Sequence, residues 1–204
     1  MKITEAFERG EFAVTAEVGP PKGIHIEGLL EEAKTYLSDI TAVKQLESGV
    51  DLGGNQLVGE PPKFAKGAVV SPCSDSVDAQ LAKMERKVAA GADYFQTQAV
   101  FEPEKFIKFM EKAKQFGKPV QIGIIIPKSV GMARFMNANV AGVHVPEDMI
   151  NELKADKEKT KAGITGVEIA ARIIRECKPY CQGVHIMALG WESKIPALLE
   201  QAEI

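Results

Sequence analysis

The sequence predicts a parallel α/β fold, and three observations carry that expectation. Short apolar runs of strand composition alternate with helical patterns along the chain, the order that builds a parallel sheet with crossover helices. The run Val120–Ile126 (Val-Gln-Ile-Gly-Ile-Ile-Ile) is the most apolar in the chain, as a strand covered on both faces must be. The stretch Gly91–Phe101 follows one helical pattern, precedes another and ends in the polar pair Thr97 and Gln98. In parallel α/β proteins the carboxyl end of a strand is where chemistry is done.

Taken in order, Phe12–Val18 reads as the first strand, stopped by Gly19-Pro20-Pro21, with Glu17 at its carboxyl end. A carboxylate at an apolar rim has its pKa raised by desolvation and can serve as an acid at neutral pH. Leu29, Leu30, Ala33 and Leu37 give Glu27–Ser38 a helical face. Asp39–Val43 then starts a strand that runs without a linker into Lys44–Gly49, which reads as a helix end. Residues 50–66 are loop-like, with Gly53-Gly54 and Pro61-Pro62, and Gly67–Val70 is a short strand. Val77, Leu81, Met84 and Val88 mark the next helix, which Gly91 stops. Tyr94–Val100 follows as a strand, and Pro103 opens a helix faced by Phe106, Phe109, Met110, Ala113 and Phe116. After Val120–Ile126 come short helices at Val130–Asn137 and Glu147–Lys154, a charged helix start at Lys157–Lys161, and a long helix faced by Val167, Ala170, Ala171 and Ile174. Gly183–Leu189 is the last strand and Ser193–Ala202 the closing helix.

The 204 residues are 45% apolar, which suits one domain with a sizeable core. A net charge of −3 gives no electrostatic footprint for nucleic acid or an anionic membrane. No apolar run approaches a membrane span, and the first residues lack the apolar core of a signal peptide. Three cysteines, Cys73, Cys177 and Cys181, make no disulfide framework, and their odd number suits a reducing cytoplasm. Cys177 and Cys181 are spaced to share a helix face or flank its end, but nothing nearby completes a metal site, so no metal is expected. The glycine-rich dinucleotide and phosphate loops and the Gly-x-Ser-x-Gly elbow are absent. His25, His144 and His185 are far apart, with His185 inside a strand.

Three stretches together carry a family resemblance. Thr15-Ala-Glu-Val-Gly-Pro-Pro-Lys-Gly, Lys87-Val-Ala-Ala-Gly-Ala-Asp-Tyr-Phe-Gln-Thr-Gln and Gly183-Val-His-Ile-Met-Ala-Leu-Gly resemble the methylenetetrahydrofolate reductases. That family is a flavin-dependent (βα)8 TIM barrel reducing 5,10-methylenetetrahydrofolate to 5-methyltetrahydrofolate. The resemblance implies a barrel here too, with roughly three strands and their helices absent near Asp39–Lys44, where the strand and helix patterns collide. Either the barrel is a shortened form or these are the ordered parts of a longer chain. The second is preferred, because a closed barrel cannot lose neighbouring strands without exposing sheet edges.

The resemblance also implies roles. Glu17 matches the acid that protonates the pterin as the iminium forms, and Gln98 the residue that contacts folate. Phe135 matches an aromatic that stacks on substrate, Leu189 lies in a loop by the same pocket, and Lys87 matches a lysine near the phosphates of FAD. Ser71, Gln80 and Ala99 depart from the family's usual residues, and most flavin contacts would fall in the absent segment. NAD(P)H and a ferredoxin-linked partner protein are both compatible as electron donor, and homo- and hetero-oligomers as assemblies. Two rival readings are a non-catalytic barrel-like subunit docking on an oxidoreductase partner, and a lysine-dependent lyase or aldolase. For the latter the one lysine at a strand's carboxyl end is Lys128.

Overall fold

The computed structural model describes residues 3–16, 47–51, 53–61 and 63–204. The expected helix Glu27–Ser38, the strand start at Asp39–Val43, and the residues Glu17 and His25 lie outside the described residues.

Five described strands make one parallel sheet: β1 (Ala13–Ala16), β2 (Gly67–Val70), β3 (Tyr94–Ala99), β4 (Val120–Ile125) and β5 (Gly183–Met187). The helices are α1 (Ile3–Glu8), α2 (Val77–Ala90), α3 (Pro103–Ala113), α4 (Val130–Asn139), α5 (Glu147–Ala155), α6 (Lys157–Lys161), α7 (Ile164–Cys177) and α8 (Ile195–Ala202). The sequence pattern misses α1, whose six residues bury only Ala6 and so show no apolar stripe. The last strand stops at Met187 rather than Leu189, because Leu189 turns into the left-handed region at φ 52°.

Local signals explain the helix ends. Ser76 caps α2 by accepting from the Ala79 amide, Ser129 caps α4 by accepting from Met132, and Asp156 caps α6 by accepting from Lys159. Pro103 sits in the first turn of α3, where its missing N–H leaves no bond unmade.

The strand order is β1-β5-β4-β3-β2. Steps from β2 to β5 all run one way, and the first strand lies beside the last, Ala13 opposite Gly183 and Thr15 opposite His185. A doubly wound sheet reverses direction at a switch point; among the described strands there is no such reversal, and their order is consistent with a barrel-like wall. Five described strands are fewer than the eight of a closed (βα)8 barrel. β4 is central, and its first five residues are all buried, which is why its sequence is apolar without alternation.

The core lies between sheet and helices. Phe95, Phe106, Phe109, Ile122 and Ile124 are fully buried, each side chain contributing about 1.5–3 kcal/mol by leaving water. α7 packs on β4, α3, α5 and α8, and nine of its residues are buried, so it is the inner helix of this layer.

Candidate active site at the carboxyl rim of the sheet

Because all five strands are parallel, their carboxyl ends open on one rim. Beneath that rim runs a line of polar side chains. The Gln96 carboxamide donates to Gln121 Oε1 (3.4 Å), and Gln121 Nε2 donates to Thr15 Oγ1 (3.2 Å). Thr15 Oγ1 lies 2.8 Å from His185 Nδ1. Gln121 is fully buried, yet it reaches from β4 past β5 to β1. It can do so because its neighbour in register on β5 is Gly183, which has no side chain to block the path. A Cβ on Gly183 would lie 2.3 Å from the Ala13 carbonyl oxygen, so glycine is also what lets β1 approach β5. The polar line is satisfied: among the described residues no buried side-chain nitrogen or oxygen lacks a partner.

Gln98 stands at the end of β3, half-buried in step with Tyr94 and Gln96, while Phe95, Thr97 and Ala99 are buried. Its Oε1 accepts from the Ala99 amide at 3.1 Å. The β3–β4 pairing passes from Gln96–Gln121 to Ala99–Gly123, so Thr97 and Gln98 together oppose Ile122. That extra residue is a β-bulge, a device that re-aims side chains near functional rims.

The loops after β4 and β5 meet at the same end of the sheet. Lys128 donates from Nζ to the Leu189 carbonyl, and its ammonium lies 5.2 Å from the centre of the Trp191 ring, a cation–π contact. Lys128 is therefore held by two partners of the neighbouring loop, which does not suit the free amine of an aldolase. Leu189 is 52% exposed and holds an unfavourable left-handed backbone, a strain that clusters at functional sites. Phe135, on α4, is 62% exposed and so faces solvent rather than core. Sequence reasoning misses Trp191, although it is the chain's lone tryptophan and follows the last strand.

Lys87 is placed differently. It lies near the end of α2, and its Nζ donates to the Val69 carbonyl at 2.6 Å, tying the helix to β2. Burial, then the nearby Lys83 charge, lower its pKa. Ser71 and Gln80 meet, the Ser71 amide donating to Gln80 Oε1 at 3.4 Å. Glu17 follows β1 in sequence and lies outside the described residues.

The described clefts lie away from Gln98. One of about 580 Å³ and another of about 490 Å³ share Lys118 and Pro119, before β4. One of about 720 Å³ lies between Cys73 and His144, and one of about 690 Å³ runs past Arg172 on the helix layer. Lys87 is the one described residue that the resemblance assigns to FAD, and its ammonium is engaged by the Val69 carbonyl. Among the described residues no three His, Cys, Asp or Glu side chains converge as a metal site, and no helix is long and apolar enough to cross a membrane.

Among solved structures, this chain is similar to an uncharacterised protein from Clostridium thermocellum that binds two copies of 5-methyl-5,6,7,8-tetrahydrofolic acid. The TM-score is 0.59 at 14% identity, over 98% of this chain and 97% of that one. At that identity the likeness is one of fold. No curated protein matches. The sequence pattern described as methylenetetrahydrofolate reductase matches residues 63–203, a span that takes in β2 to β5, the bulge at Gln98 and the Lys128–Leu189 rim. The chain belongs to the methylenetetrahydrofolate reductase family.

Proposed function

We propose that this protein binds a reduced folate at the carboxyl rim of its sheet and serves the reduction of 5,10-methylenetetrahydrofolate to 5-methyltetrahydrofolate. The observation that carries the reading is the family match over residues 63–203 with Gln98 half-buried at the carboxyl end of β3 inside that span. The folate bound by the structural neighbour supports the same ligand class. We also take the sheet as part of a (βα)8-type wall, a reading supported by its unidirectional strand order and its first-to-last pairing.

In this reading the Gln98 carboxamide hydrogen-bonds the pterin. Its Nε2 has no acceptor among the described residues, while its Oε1 accepts from Ala99, so a ligand gains a donor without breaking an internal bond. Phe135 and Leu189 supply exposed apolar surface for the ring system and its tail. Glu17, next in sequence after β1, gives the proton that opens the imidazolidine ring. The methylene carbon then requires a hydride, which in this family a flavin delivers. In this reading the part of the described residues is to bind and orient the folate.

A second reading, a folate-binding subunit that depends on an oxidoreductase partner, is favoured by the Lys87 ammonium already being engaged by the Val69 carbonyl. The purified protein separates the two. Flavin absorbance bands together with binding of 5-methyltetrahydrofolate would support the reductase. A colourless protein that binds 5-methyltetrahydrofolate would support the subunit. Failure to bind any reduced folate would sink both. In the reductase, Glu17→Gln is expected to abolish folate reduction while leaving folate bound, and unchanged turnover would remove Glu17 from the mechanism.

A further inference from the structure

Thr97 shows how the bulge that presents Gln98 is held. In a regular parallel ladder the Gly123 amide would bond to a β3 carbonyl. Here it donates to Thr97 Oγ1 at 2.8 Å, and the same hydroxyl donates to the Gln98 carbonyl at 2.8 Å. The hydroxyl, as both acceptor and donor, carries the ladder across the extra residue. The pairing resumes at once, with the Val100 amide donating to the Gly123 carbonyl at 3.0 Å. Thr97 is 4% exposed, so no water competes for these bonds. Gly123 completes the arrangement, because a Cβ there would lie 2.3 Å from the Thr97 carbonyl oxygen and 3.1 Å from that of Gln98. Two residues therefore make the bulge: one replaces the missing ladder bond, and the other leaves room for the displaced backbone.

We infer that Thr97 is the positioning residue for Gln98, its hydroxyl fixing the bulge that holds the Gln98 carboxamide where a reduced folate meets it. The inference rests on the folate reading of Gln98 given above. Thr97→Val keeps the shape of the side chain and removes the hydroxyl. Thr97→Ser keeps the hydroxyl and removes a methyl group.

The test is calorimetric titration with 5-methyltetrahydrofolate of the wild type, Thr97→Val, Thr97→Ser, Gln98→Ala and the double variant Thr97→Val/Gln98→Ala. Thr97→Val is expected to weaken binding about tenfold, the scale of one well-placed hydrogen bond, and Thr97→Ser to restore it. In the Gln98→Ala background the Thr97→Val effect should vanish, since its target is gone. An equal loss in both backgrounds, or no loss at all, overturns the inference. If Gln98→Ala itself leaves binding unchanged, the folate reading of Gln98 fails first and takes the inference with it. Hydrogen exchange in the wild type decides the matter should Thr97→Val not fold: the Gly123 amide must be protected, and exchange at the rate of open backbone would overturn the proposal.

Discussion

Cys73, Cys177 and Cys181 are all buried, and burial controls their chemistry. Desolvation, followed by the charge of Glu102, pushes the Cys73 thiol up to about 12, and desolvation pushes Cys181 up to about 11. Cys177 is shifted in the same direction by burial and then by Cys181. A thiol whose pKa is raised on folding favours the folded state below its ordinary value of 9.0 and loses that contribution as pH climbs through the folded value. Near pH 8 there is almost no thiolate in the native protein, so an aromatic disulfide reagent should label the thiols only at the rate of opening. Denaturant should release all three together. Fast labelling of any one in the native state would contradict the burial described. The sequence already allowed Cys177 and Cys181 to flank a helix end, and they do: Cys177 closes α7, and Cys181 follows a short 3-10 turn.

Single elements were legible wherever one chain segment determines its own shape. β4 could be read because Ile122 and Ile124 are buried while Gln121 and Gly123 between them are covered as well. The stop at Gly91 could be read because its φ of 105° excludes most side chains. The β3 bulge could not, since a bulge is a relation between strands and Thr97 looks like any strand threonine until Gly123 is beside it. The Lys87–Val69 contact was hidden for the same reason: a lysine near a helix end carries no sign that the Val69 carbonyl will accept a hydrogen bond from it.

A third relation of this kind links the segment before β2 to the start of β3. Lys66 Nζ reaches Glu47 (3.2 Å) and Asp93 (3.3 Å), while the Lys66 amide donates to Asp93 at 2.8 Å. Burial lowers the pKa of the Lys66 ammonium, but the hydrogen bonds it donates to Glu47 and Asp93 outweigh it, and the net is a rise above 10.5. Glu47 is shifted below 4.5, chiefly by the Phe64 amide against the opposing effect of burial, with Lys66 adding to the fall. The raised lysine contributes below 10.5 and is lost as pH rises through its folded value. The depressed carboxylate contributes above 4.5 and is lost as pH falls through its folded value. Lys66→Met should therefore cost about 1 kcal/mol at pH 7, the partners being partly exposed, and less near pH 3. Urea unfolding at the two pH values measures the difference; an equal cost at both would show that the ion pairs contribute nothing.

At the scale of the molecule, the parallel α/β class and the run of strands from β2 to β5 followed from periodicity and punctuation. The family followed from three short stretches, of which the two at Lys87–Gln98 and Gly183–Gly190 lie inside the matched span. The rim was legible only in part. The place of Gln98 at the carboxyl end of β3 could be read from the strand pattern around it. The polar line from Gln96 to His185 was not, because it depends on Gly183 opening a path between strands that sequence separates widely.

That separation has a consequence for how the chain is made. β1 takes its register from β5, and the Thr15–His185 contact spans 170 residues, so the first strand has no partner on β5 until the last is synthesised. At roughly 5–20 residues per second, it waits on the order of ten to thirty seconds outside the ribosome, while β2 to β4 can already pair with one another. Closing so long a loop slows folding more than it costs stability. A ribosome-bound chain halted before Gly183 should be cleaved readily by protease near Ala13–Ala16 yet resist at Tyr94–Ala99, and release of the full chain should protect both. Early protection of the amino-terminal strand would mean that something other than β5 holds it.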